Sequence, residues 1–144
     1  MPTADNNVTM TLMREFKNVG VFPQPIFEAL QKKYQIQDDR FFMNSETVSK
    51  IITDHPEFKT LNIQSFVNDI FSNASMIQPN QRDDTVRVIG INRDLTDPFS
   101  GMSGDKFFYI ILRLSNKHEV NFVKSLYPRD KLKGCEFLWQ KPTE

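Results

Sequence analysis

From about residue 84 to residue 140, apolar and polar positions alternate with a period of two, and clusters of turn-forming residues interrupt the alternation. The segments 85–95, 106–114, 119–127 and 132–140 predict four strands of an antiparallel sheet. Within Phe107-Phe108-Tyr109-Ile110-Ile111-Leu112-Arg113-Leu114 the period puts Phe108, Ile110, Leu112 and Leu114 on one face and Phe107, Tyr109, Ile111 and Arg113 on the other. A strand wetted on one side is apolar on one face only, whereas here both are greasy, so the second face is expected to be covered, a partner outside the chain included. The uniformly apolar set is assigned to the core, because a lone arginine is easier to satisfy across an interface than inside. Phe107, Tyr109, Ile111 and Arg113 then form the candidate interface, with Arg113 able to meet a partner carboxylate through two parallel hydrogen bonds; Phe137 and Trp139 on the last strand extend either surface.

The first half of the chain reads differently. Residues 1–7 are polar and expected to be disordered, leaving 8–144 as a single domain. Val8, Leu12, Phe16 and Val19 recur at helical spacing up to Gly20, which predicts a first helix. Pro25 opens a second, with Ile26, Phe27, Leu30 and Tyr34 on one face. Arg40-Phe41-Phe42-Met43 predicts a brief strand, and Asn44 or Ser45 caps a third helix that points Val48, Ile51 and Ile52 inward and stops near His55, ahead of Pro56. The segment 61–71 supports two patterns. Ile63, Phe66, Val67 and Ile70 have helical spacing, whereas Leu61, Ile63 and Ser65 begin a strand alternation that a bulge could carry on to Ile70. Segments 73–84 and 96–105 read as loops.

Composition narrows the function classes. With 144 residues, 18 Lys+Arg and 18 Asp+Glu, the chain has no net charge to attract nucleic acid nonspecifically. The lone cysteine, Cys135, cannot form an internal disulfide, and it reads as a small apolar group in a reducing compartment. No apolar run approaches the roughly 20 residues of a membrane span, so no membrane partner is expected. The 13 phenylalanines against 1 tryptophan read as core filling. Catalytic chemistry is thin. His55 abuts a proline, His118 sits in a hairpin turn, and the pairs Asp38-Asp39 and Asp83-Asp84 lack a third ligand at metal-loop spacing. No enzyme, cofactor or metal site is expected.

The order of elements resembles the nuclear-transport-factor-two-like fold, an α+β cone of N-terminal helices packed in a curved antiparallel sheet. Leu30 and Tyr34 on the second helix, Phe41-Phe42 on the strand after it, and Val48, Ile52 and Pro56, each four apart, are similar to that family's positions. Asn62 to Ile70 is similar to the next strand in the large subunit of the mRNA-export receptor, which favours strand over helix for 61–71. Residues 40–44, 108–114 and the ending Leu132-Lys133-Gly134-Cys135-Glu136-Phe137-Leu138-Trp139-Gln140-Lys141-Pro142-Thr143-Glu144 resemble the small subunit of the fungal mRNA-export receptor, the mRNA transport regulator family, although the loop 96–105 is shorter than in that family. The resemblance implies a non-catalytic subunit that forms a heterodimer with the large subunit and carries mRNA through nuclear pores. It also implies pore phenylalanine-glycine repeats as partners, an indirect RNA contact, and shuttling between nucleus and cytoplasm. Two alternatives stand beside it. A helical 61–71 would make a winged helix, faintly like the La motif that binds RNA ends, from the helix at Ser45, that helix, and a hairpin over 75–89. An enzyme of the same cone fold would need an inward histidine or aspartate.

Overall fold

The computed structural model describes residues 16–82, 84–91, 106–116, 120–132 and 136–142. In chain order these form β1 (Phe16–Val21), α1 (Gln24–Tyr34), β2 (Arg40–Asn44), α2 (Ser45–Asp54), a 3-10 turn (Pro56–Phe58), α3 (Ile63–Ser72), β3 (Met76–Pro79), β4 (Thr85–Ile91), β5 (Phe107–Arg113), β6 (Asn121–Arg129) and β7 (Trp139–Gln140). The strands make one curled half-barrel sheet in the order β1-β2-β6-β5-β4-β3-β7, and the architecture is α+β with three α-helices among the described residues. All pairs are antiparallel except β2 with β6, which runs parallel through Phe41 opposite Asn121 and Phe42 opposite Phe122. The all-antiparallel expectation fails there because the chain returns to β6 from the far side of the sheet. A bulge at Lys124, where Ile111 faces Ser125 but Leu112 faces Val123, adds local twist to the β5–β6 pair.

Local chemistry sets the helix ends. Pro25 lies in the first turn of α1, where its missing N–H costs nothing, and Lys32 and Lys33 in the last turn complement the helix dipole. Asn44 caps α2 by accepting a hydrogen bond from the Thr47 amide at 2.8 Å, and the helix stops before Pro56 as expected. Asn62 does the same for α3 through the Ser65 amide at 3.1 Å. Between the helices and the sheet lies the main core, in which Phe22, Phe41 and Phe71 pack with centroids 4.2–5.4 Å apart. Phe66 meets Phe108 edge-on at 5.0 Å, with Phe58 beside both. Six phenylalanines are thus core fillers, and Phe108, Ile110, Leu112 and Leu114 lie wholly inside, on the face assigned to them.

Several expectations are corrected. The segment 61–71 is a helix, not a strand: Ile63, Phe66, Val67, Ile70 and Phe71 are all buried at spacings of three and one, which a period of 3.6 puts on one side and a period of two cannot. Phe16–Val21, expected to finish the first helix, is a strand paired with β2, while 1–15 lies outside the described residues together with the disorder expected for 1–7. The segment expected to be a loop over 73–84 contains β3, whose residues Met76, Ile77 and Gln78 are buried on both faces and so show no alternation. Of the final strand expected over 132–140, residues 133–135 lie outside the described residues, and among the described ones only Trp139 and Gln140 are strand, paired with Ile77 and Met76. The expected loop over 96–105, His118 and Cys135 lie outside the described residues. The winged-helix alternative obtains its second helix, yet β4 pairs along all seven of its residues with β5, so the β3–β4 hairpin is part of the larger sheet rather than a wing.

Two polar features hold the irregular corner where β1 and β2 join the sheet. Asn121 is fully buried; its amide donates to the carbonyls of Asp38 at 2.7 Å and Arg40 at 2.9 Å, and its oxygen accepts from the Ser115 amide at 2.8 Å. Asp38 accepts from the Arg40 amide and, through both oxygens, from its guanidinium at 3.0 and 3.1 Å, a turn role that lifts the Arg40 pKa. Gly20 sits at the β1 irregularity, so close to α3 that a β-carbon would run into the Asn68 side-chain oxygen and come within 3.0 Å of the Phe41 ring. Gly20→Ala is expected to lower stability by about 1–3 kcal/mol, and Asn68→Ala in the same chain to restore part of it. Urea denaturation checks this; an unchanged midpoint for Gly20→Ala would mean that β1 does not pack as described.

Candidate functional site

The strand registers define the face of the sheet that points away from the main core. Tyr109 pairs with Ile89 on β4 and Tyr127 on β6, Ile111 with Arg87 and Ser125, and Arg113 with Thr85 and Phe122. Met76 opposite Ile89 carries the same face onto β3. Met76, Ile89 and Tyr109 form a second buried cluster, with Phe107, Tyr127 and Leu132 packed around it, and none of these residues belongs to a helix. The sheet therefore has two apolar sides, as its central strand predicts.

Guanidinium groups stand over aromatic rings of this face. The Arg113 guanidinium carbon stands 3.6 Å from the centre of the Phe122 ring, and that of Arg129 4.2 Å from the Tyr127 ring, short enough for strong cation–π attraction. Tyr127 in turn stacks on Tyr109, with centroids 5.4 Å apart and planes at 29°. Desolvation pushes the Tyr127 phenol above its ordinary pKa, and desolvation pulls Arg113 below its own, partly offset by the charge of Asp84. The Arg113 Nε is buried and finds no hydrogen-bond acceptor among the described residues. A buried donor of this kind costs roughly 1–3 kcal/mol until an acceptor arrives.

Of the six candidate interface residues, the structure brings together Phe107, Tyr109, Ile111 and Arg113. Their openness differs from expectation. Tyr109 is only 2% exposed and stacks on Tyr127, whereas Phe107, Ile111 and Arg113 are partly exposed. Trp139 does not belong to this face: it pairs with Ile77 and packs against the main core on the helix side. Phe137 is 45% exposed and lies beside α1, also away from the face. Sequence reasoning missed Phe122, Tyr127, Arg129 and the buried Arg87. The alternation of Thr85-Val86-Arg87-Val88-Ile89 was the available signal for β4, but only the register shows that Arg87 and Ile89 share a face with Ile111 and Tyr109.

His55, at the C-terminal end of α2, lies 3.7 Å from Glu57 and tilts over Tyr127 at 6.4 Å. No group of three His, Cys, Asp or Glu side chains that could hold a metal ion occurs among the described residues. No family model, curated protein or solved structure matches the chain.

Proposed function

We propose that the chain is a non-catalytic subunit that docks the outer face of its sheet on a second protein. The observation that carries this is the second apolar cluster, with Phe107, Ile111, Phe122 and Tyr127 partly exposed around a sheltered Met76–Ile89–Tyr109 centre. Its composition is that of an interface core, aromatic and aliphatic, with arginine as the charged residue. Arg113 supplies a directional contact, since a partner carboxylate would satisfy its buried Nε and gain from the desolvated surroundings. The particular assembly suggested by the resemblance is the heterodimer of the mRNA-export receptor, within a nuclear-transport-factor-two-like cone. In that assembly the chain would be the small subunit, shuttling through nuclear pores. The segments around Leu30–Tyr34, Phe41-Phe42, Val48–Ile52 and 108–114 fall in helices and strands consistent with that family; the helical α3 and the two-residue β7 depart from it.

The test is recovery of the partner on immobilised chain, compared with an Arg113 variant. Arg113→Glu is unsuitable, because a carboxylate there would lie over the Phe122 ring and repel Asp84, damaging the fold as well. Arg113→Met keeps the stem packed and removes the charge and the donors. Affinity for the partner is expected to fall by roughly 2 kcal/mol or more, about 30-fold, while the melting temperature changes little. A large mRNA-export receptor subunit recovered on the wild type and lost on the variant supports both levels of the proposal. A different single partner supports the docking face and removes the export assignment. Equal recovery on both chains removes Arg113 from the interface.

A further inference from the structure

On the helix side of the sheet, the start of α1, the end of α3 and β7 enclose a mostly apolar cleft of about 230 Å³ against Phe71 and Trp139. Small-molecule sites run to about 300–1,000 Å³, so this one is sized for a single side chain. Pro25 and Trp139 are shared with an adjoining trough of about 610 Å³ that follows α1 past Phe137. Phe137 and Val21 are the two large apolar side chains left substantially exposed among the described residues, at 45% and 57%. The charges around this surface are biased. Lys32 and Lys33 rim the trough and Lys141 the cleft, and none of them has an ion pair among the described residues. The acid in the trough, Glu28, accepts a hydrogen bond from Gln24 at 3.0 Å instead. β7 is the last strand in the sheet order, and an extended chain can add to such an edge.

We propose that this trough binds an extended segment of another protein, inserting one bulky apolar side chain between Trp139 and Phe71 and setting acidic residues over Lys32 and Lys33. The site lies on the opposite side of the sheet from the docking face and does not depend on it. Trp139 is the chain's only tryptophan, so its fluorescence reports on the cleft directly. The experiment titrates the full chain with a synthetic peptide carrying one leucine between pairs of aspartates. A saturable change in Trp139 emission is expected. Its Kd should rise about 10-fold or more when Lys32→Glu and Lys33→Glu are combined, and it should weaken in about 0.5 M salt. Phe137→Ala should also weaken it, with the circular dichroism of each variant unchanged. The proposal is overturned by the absence of a saturable change, or by equal affinity for the same leucine flanked by lysines. It is also overturned if the emission depends on protein concentration alone, which would make the trough a contact between two copies of this chain.

Discussion

Leu112→Ala is expected to lower the free energy of unfolding by about 2–5 kcal/mol, the cost of a cavity in a close-packed core. Leu112 is wholly buried between Val86 on β4 and Val123 on β6, at the bulge that turns the sheet, so neighbouring strands have little freedom to collapse into the space. Ile111→Ala, one residue earlier on the outer face and partly exposed, should cost roughly 1 kcal/mol or less in the isolated chain. Urea denaturation of both variants measures the contrast. Equal losses would mean that the outer face is as much a core as the inner one, leaving no surplus surface for a partner.

The second large effect belongs to Asn121. Truncation to alanine leaves the Ser115 amide and the Asp38 and Arg40 carbonyls without their partner, at roughly 1–3 kcal/mol for each group left dry, so a loss of about 3 kcal/mol or more is expected. The damage should be local before it is global. β2 joins β6 through two residue pairs alone, and Asn121 ties the start of both strands together. Hydrogen exchange should therefore accelerate in β1 and β2 well before it does in β4 and β5. Uniform acceleration across the sheet would show instead that the corner folds with the rest as one unit.

What could be read from the chain depended on how directly a residue's surroundings follow from its neighbours in sequence. The strand 107–113 alternates so strongly that both its faces and its core side were legible, and the Asn44 cap and Pro56 bounded α2 almost to the residue. For α3 the buried positions carry the helical period, but Leu61, Ile63 and Ser65 also fit a strand alternation, and the likeness to a strand in another protein tips the choice the wrong way; the Asn62 cap is visible only in the structure. β3 reads as loop under the cone fold and as half of a hairpin only in the winged-helix alternative, since a four-residue strand buried on both faces has no alternation to detect. Half of the candidate face was legible in the same way. Phe107, Tyr109, Ile111 and Arg113 follow from one strand's period, but Phe122, Tyr127 and Arg129 join them only through a register that a bulge shifts, and no single strand encodes its neighbour's register. Trp139 illustrates the same limit from the other side, because the two-residue pairing with β3 turns it toward the core.

If the proposed docking takes place, the charge pattern on the face suits a partner of defined geometry rather than a nonspecific one. Arg113 and Arg129 are held over Phe122 and Tyr127, so little conformational entropy remains to be lost when an acceptor docks. The net charge of zero leaves no long-range pull toward polyanions, so under the proposed docking recognition would come from shape and the few fixed donors.

Hydroxyl-radical footprinting of the chain alone and bound to the partner it recovers tests the docking face most directly. Phe107, Phe122 and Tyr127 are partly exposed in the isolated chain and should lose most of their labelling in the complex. Unchanged labelling of these three side chains in a complex that has formed would contradict the account, because the partner would then be held by some other surface.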